Sequence, residues 1–165
     1  MFVAVDINGQ KVNPIDTPIE EIRLLSKSKM LFCPECLTEV KFAQGELVTA
    51  HFKHTKKIDC TYDWEPETEE HLKGKVLIRN WLVENYKGVQ VEFEYKIIET
   101  KQRADVLAIF PSGNRVAFEI QCSRIPGTKW KERHELYKQA GITDFWILNY
   151  PIHNYGKTDG GFKKE

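Results

Sequence analysis

No run of the sequence approaches the roughly 20 consecutive apolar residues needed to cross a bilayer as a helix. Nor does its N-terminus show the basic stretch followed by an apolar one that marks a secretory signal. These two absences predict a cytoplasmic protein with no membrane partner. An excess of charge is missing as well: 24 basic residues face 24 acidic ones. Composition alone therefore does not announce a nucleic-acid binder, and any such role must rest on local patterning. Repeats and low-complexity tracts are absent, and 7 prolines and 10 glycines are too few for a collagen-like or disordered chain. The cysteines number only 4. In a reducing compartment they suit metal ligation or burial better than disulfides.

What is present is a hydrophobic content of 41% over 165 residues, enough for one real core. Three stretches are expected: an N-terminal hairpin and zinc-knuckle region over 1–62, an α/β core over 63–150, and an irregular tail over 151–165. In the first, Phe2 to Ile15 reads as a hairpin closed at Asn8-Gly9. A helix follows over Asp16 to Lys29, with Thr17 as cap and Pro18 at the first helical position. Strands around Val40 to Phe42 and Leu47 to Phe52 flank a turn at Gln44-Gly45. In the second, a long helix spans Pro66 to Tyr86, carrying Leu72, Val76, Ile78, Leu82 and Val83 as an apolar stripe. Strands over Val89 to Ile98, Ala104 to Phe110 and Arg115 to Gln121 come next, then a helix from Trp130 to Ala140 ended by Gly141, and a strand over Phe145 to Leu148. The last strand can join the sheet through that helix as a right-handed crossover.

Cys33-Pro34-Glu35-Cys36 is a C-x2-C knuckle, followed by His51, His54 and Cys60. Two thiolates from a tight turn and a second pair of ligands suit tetrahedral Zn²⁺, and a segment this small gains from a metal cross-link. Five candidates compete for four places, and such a site is structural. A redox C-x2-C would need a helix after it, whereas Leu37 to Phe42 reads as a strand. Cys122 stands apart and reads as a core thiol. Basic clusters at Lys27 to Lys29, at Lys53, Lys56 and Lys57, and at Lys73, Lys75 and Arg79 are equally compatible with a solvated surface.

If the strands on either side of the Pro111 to Asn114 turn pair, Asp105 at the start of one lies near Glu119 and Gln121 at the end of the other. Residues two apart on a strand share a face. Two carboxylates converging there offer hard oxygen ligands to Mg²⁺ or Mn²⁺, which activates water and polarises a phosphate. The plain alternative is that both acids merely solvate strand ends.

The strings Arg103-Ala104-Asp105-Val106 and Phe118-Glu119-Ile120-Gln121-Cys122-Ser123 resemble the nuclease core of the competence protein CoiA family, a branch of the PD-(D/E)XK superfamily in which Gln replaces the usual Lys. Cys33 to Cys36 with His51-Phe52-Lys53-His54 resembles that family's zinc-knuckle region. Glu67-Thr68-Glu69-Glu70-His71 with Lys75 is similar to its Glu-Ser-x-Glu-His helix. Arg133, Tyr137 and Trp146-Ile147-Leu148 match the pattern after the core. The resemblance implies a mixed sheet flanked by helices, with Asp105 and Glu119 as metal ligands and Gln121 in the lysine position. It also implies that Glu70, or Glu67 or Glu69 in its stead, completes the acidic group, and that His71 contacts phosphate or water. The implied activity is Mg²⁺-dependent cleavage of DNA, internally or from an end, in DNA uptake, recombination or mobile-element processing, beside other DNA-processing proteins. The rival reading is a non-catalytic DNA-binding or adaptor protein that keeps the fold and docks through its zinc knuckle.

Overall fold

The computed structural model describes residues 1–45, 48–56, 60 and 68–149. It falls into two units, Met1–Lys73 and Gly74–Glu165. The expected tail over 151–165 and the expected helix start at Pro66 lie outside the described residues.

The N-terminal unit opens with a short antiparallel hairpin, β1 (Ala4–Val5) against β2 (Lys11–Val12). The Asp6 carboxylate accepts the amides of Asn8 and Gln10, each at 2.8 Å, and Gly9 takes the left-handed φ of +77° that this turn demands. Helix α1 (Ile19–Lys27) begins one residue later than expected: Pro18, not Thr17, holds the N-cap position, with extended ψ of 133° and no side-chain cap. Thr17 is restricted by the following proline ring and gives its amide instead to the Asn13 carbonyl at 3.1 Å. At its other end α1 closes in a Schellman turn, Met30 N–H to Leu25 O at 2.9 Å and Lys29 N–H to Ser26 O at 3.2 Å.

Strands β3 (Val40–Ala43) and β4 (His51–His54) form a second hairpin, in register Val40↔His54 through Ala43↔His51. The strand expected over Leu47 to Phe52 thus begins at His51, and Leu47 itself lies outside the described residues. Fully buried Ile22, Leu31, Val40 and Phe52 enclose Cys33.

Helix α2 (Glu69–Asn85) starts in the N-terminal unit and runs into the second. Its N-terminus is capped by Thr68, whose hydroxyl accepts the His71 amide at 3.2 Å. The second unit is built on a four-stranded sheet of order β5 (Gln90–Lys96), β6 (Arg103–Ile109), β7 (Arg115–Gln121), β8 (Thr143–Leu148). The first three are antiparallel, and β8 runs parallel to β7 after helix α3 (Gly127–Gln139). The sheet is therefore mixed, as expected. Helix α3 begins at Gly127 rather than Trp130, because Pro126 with φ −59° and ψ 136° already serves as its N-cap.

Alternation along the strands sends successive side chains to opposite faces. Leu107 and Ala117 pack with Tyr137, Ala140 and Ile142 on the α3 side. Phe118 and Ile120 face α2, where Trp81 meets Phe118 at a ring distance of 6.4 Å. A Cβ placed on Gly74 would stand 3.0 Å from Ile120 Cγ2, so the absence of a side chain there lets the helix approach the sheet.

Candidate active site and metal centre

The register of the sheet sets three acids at one level. Pairing of β6 with β7 runs from Ile109↔Arg115 to Val106↔Phe118, and one step further it would place Asp105 opposite Glu119. There the ladder stops, and Asp105 turns its Oδ2 to accept the Ile120 amide at 2.8 Å. On the other side, Phe93↔Val106 and Tyr95↔Ala104 pair normally while Glu94, between them and opposite Asp105, takes a left-handed φ of +47°. Such a φ is uncommon outside glycine and marks a local distortion. Both ladders are thus interrupted along the row Glu94, Asp105, Glu119.

Into this row α2 projects Lys75, whose ammonium lies 2.9 Å from Glu94 Oε1 and 3.7 Å from Asp105 Oδ1. The side chains of Lys75, Glu94 and Asp105 are 2%, 4% and 18% exposed, so this charge cluster is removed from water. Buried lysines are rare unless paired.

Glu119 is held from α3. Arg133 Nη2 donates to its Oε1 at 2.5 Å, and the Tyr137 hydroxyl donates to the same oxygen. Arg133 and Tyr137 are four apart on the helix and so share a face. Burial first, and the charge of Asp105 second, push Glu119 up to about 8 against the pull of Arg133 and Tyr137. Burial also raises Tyr137, and Glu119 adds to that rise. Arg133 further stacks its guanidinium over the Trp146 ring at 5.3 Å. Gln121, buried on the same face as Glu119, donates to Ser123 Oγ at 3.0 Å.

Asp105 and Glu119 offer two carboxylates to a hard divalent cation: Asp105 Oδ1 faces Lys75 at 3.7 Å, beyond hydrogen-bond distance, and the burial and the Asp105 charge that raise Glu119 are penalties a bound cation would offset. Asp105 and Glu119 are the residues that would hold it, and it would supply Lewis acidity and a water of lowered pKa.

Glu70 and His71 occupy the first turn of α2 and belong to the N-terminal unit. Glu70 is held below the usual carboxylate range by its own backbone amide and the Thr68 hydroxyl. Lys73, on the same helix, pairs with Glu69 at 2.6 Å.

In the N-terminal unit, Cys33, Cys36, His54 and Cys60 bring one ligand atom each to within 4.8 Å of one another. Cys36 Sγ lies 3.2 Å from His54 Nε2, and Cys33 Sγ lies 4.0 Å from Cys60 Sγ. A zinc tetrahedron with Zn–S of about 2.3 Å has edges of about 3.8 Å, so the group fits that ion. His51 does not join it. On β4 the spacing of three sends His51 and His54 to opposite faces, and His51 Nδ1 is taken up by the Thr49 carbonyl at 2.8 Å. Burial pushes the Cys33 thiol up to about 12 and raises Cys60 as well. Burial opposes ionisation at Cys36 too, but hydrogen bonds led by the Thr38 hydroxyl bring it down to about 6. Cys122, outside this group, is half-buried at the end of β7.

Glu94, in the acid row, and the placing of Lys75 beside it were not assigned to the site from the sequence. Glu94 sits in an alternating strand where it should point outward with Glu92, and nothing in Gln90 to Lys96 signals its flipped backbone. Lys75 did leave a trace, since it stands three residues after buried Leu72 and seven before buried Leu82, a charge on the apolar face of α2.

A mixed sheet with helices on both faces, carboxylates gathered where its ladders open, and a separate Cys/His cluster define the class, and the family models agree. Residues 67–160 match the model of the competence protein CoiA nuclease-like domain, and residues 16–63 match that of the competence protein CoiA N-terminal domain. The chain belongs to the competence protein CoiA family. It is 34% identical over 124 residues to competence protein CoiA of Bacillus subtilis (strain 168), an alignment covering 75% of this chain and 32% of that relative. It therefore spans about a third of the length of the curated relative it matches. No solved structure matches it. Among the described residues, no helix is long and apolar enough to cross a membrane.

Proposed function

We propose that this chain is a cytoplasmic nuclease that hydrolyses DNA backbone phosphodiesters with Mg²⁺ or Mn²⁺ held by Asp105 and Glu119, and that Cys33, Cys36, His54 and Cys60 hold a structural Zn²⁺. The observation that carries the first part is the row Glu94, Asp105, Glu119 at the break in both ladders, with Lys75 buried beside it. Such a concentration of buried charge costs stability, and a carboxyl raised as Glu119 is belongs to the kind of site that clusters where chemistry is done. A bound ion would supply Lewis acidity toward a phosphate and a water of lowered pKa. Asp105, fixed by the Ile120 amide and Lys75, and Glu119, fixed by Arg133 and Tyr137, hold their oxygens in set directions. Gln121 has an amide to orient the water, and it cannot act as a base.

The test is Mg²⁺- or Mn²⁺-dependent cleavage of single-stranded, duplex and branched DNA by the purified chain, beside Asp105→Ala and Glu119→Gln. Wild type should cut at least one substrate, and both variants should fail while remaining folded. Glu70→Gln and His71→Ala in the same assay test the roles that the family resemblance gives to the first turn of α2. A second reading is favoured by one specific observation: Lys75 and Arg133 already stand against Asp105 and Glu119. An adaptor that keeps the fold and docks DNA through its zinc unit would look this way. Inertness of the wild type on every substrate with both metals would select it.

A further inference from the structure

Beside α1 in the N-terminal unit lies a cavity of about 380 Å³ lined, among the described residues, by Arg23, Ser26, Lys27, Lys29, Lys41 and Phe42, none of them a carboxylate. Arg23, Ser26 and Lys27 share one face of the helix by their spacing. The wall opposite is β3, fastened where the Phe42 amide donates to Ser26 Oγ at 3.0 Å. Arg23 is paired with Glu20 at 2.9 Å and donates to Gln44 at 3.2 Å. Among the described residues, Lys27, Lys29, Lys41 and Lys53 make no ion pair.

Two of these lysines occupy positions where lysine is locally the wrong residue. Lys29 is the C′ residue of the Schellman turn with φ of +57°, a place that glycine fills without strain. Lys41 stands directly across the hairpin from Lys53, and like charges directly opposite each other destabilise a strand pair. A sequence that violates local preference twice at one groove, both times by adding a cation, points to use rather than accident.

We propose that this groove is a binding site for the phosphodiester backbone of a nucleic acid, held without base readout by Lys27, Lys29 and Lys41, with Arg23 in its wall and Lys53 across the hairpin from Lys41. The inference rests on the DNA-hydrolysing reading only for the identity of the polyanion. Its test is separable from cleavage because binding is measured with no Mg²⁺ or Mn²⁺ present.

The experiment is fluorescence anisotropy of labelled single-stranded and duplex oligonucleotides against the zinc-loaded chain over a series of KCl concentrations. Wild type is compared with Lys29→Gly and with the triple variant Lys27→Gln, Lys29→Gly, Lys41→Gln. Each lost phosphate contact should flatten the slope of log K against log[salt] by about 0.7 for single strands or 0.9 for duplex. Lys29→Gly should flatten it by one such step while raising the thermal midpoint, so that weaker binding cannot be blamed on unfolding. The triple variant should flatten it by two to three steps. Unchanged slopes in both variants, or a wild type that binds neither oligonucleotide, would overturn the assignment. So would a triple variant that keeps DNA but loses anionic phosphatidylglycerol vesicles or polyglutamate. Absent cleavage with intact, groove-dependent binding would refute the nuclease reading alone.

Discussion

Replacing Glu119 by Gln should make the zinc-loaded protein more stable in the absence of Mg²⁺, and increasingly so as pH rises. Unfolded, Glu119 ionises near 4.5; folded, burial and the Asp105 charge hold it protonated up to about 8. Between those values the folded chain binds more protons than the unfolded one, so the stability contributed by Glu119 is complete below 4.5 and is lost as pH climbs toward 8. The loss amounts to about 1.4 kcal/mol for each pH unit. Glutamine has no such titration and still offers Oε1 to Tyr137 and Arg133. From pH 5 to pH 7.5 the variant should therefore gain on the wild type by at most about 3 kcal/mol, which is several degrees of melting temperature for a unit this size. Urea unfolding at pH 5, 6.25 and 7.5, followed through tryptophan fluorescence, measures the gap. Added Mg²⁺ should narrow it by favouring the ionised carboxylate. The opposite physics makes the opposite prediction. If an ionised Glu119–Arg133 pair governs the site, glutamine takes the counter-charge from the part-buried Arg133 guanidinium and lowers stability at every pH where the pair is formed. A variant less stable than wild type at pH 7.5, or two pH profiles that run parallel, would refute the reasoning.

His54→Ala should lower zinc content and destabilise the N-terminal unit, whereas His51→Ala should retain the metal; atomic absorption after gel filtration separates them. With Cys36 down at about 6 and Cys33 and Cys60 raised by burial, zinc loading at pH 7.5 should release two protons, one each from Cys33 and Cys60. Calorimetry in two buffers of different ionisation heat counts them, and three would show that Cys36 is also protonated. Gly74→Ala should destabilise the second unit by about 1–3 kcal/mol, because its Cβ would press on Ile120 Cγ2 at 3.0 Å; an unchanged urea midpoint would mean that α2 shifts freely.

Much of this architecture was legible in the sequence because it rests on local rules. The apolar runs of β6 and β7, the turn between them and the C-x2-C spacing each declare themselves within a dozen residues. Register then follows, so that Asp105 and Glu119 stand at one level. What stayed hidden depends on contacts far apart in the chain. Nothing near Glu94 encodes its flipped φ, which answers to Lys75 on a helix and Asp105 on the next strand. The choice of His54 over His51 needed the exact strand boundaries, and the shift of β4 to His51–His54 decided it by strand alternation. Helix starts slipped at α1 and α3 for one reason: a proline stands at each N-cap and moves the boundary.

The ammonium of Lys75 and the acids it serves are stored in separate stretches of chain, one on a helix and the others on successive strands. A chain still emerging from the ribosome carries Glu94 and Asp105 as ordinary hydrated carboxylates, with no cation fixed between them. Only when α2 has docked onto the finished sheet do the charges face one another out of water. In the proposed nuclease, competence to cut is thus a report that the unit has folded, and loosening of α2 would disarm the protein before it exposed a reactive fragment.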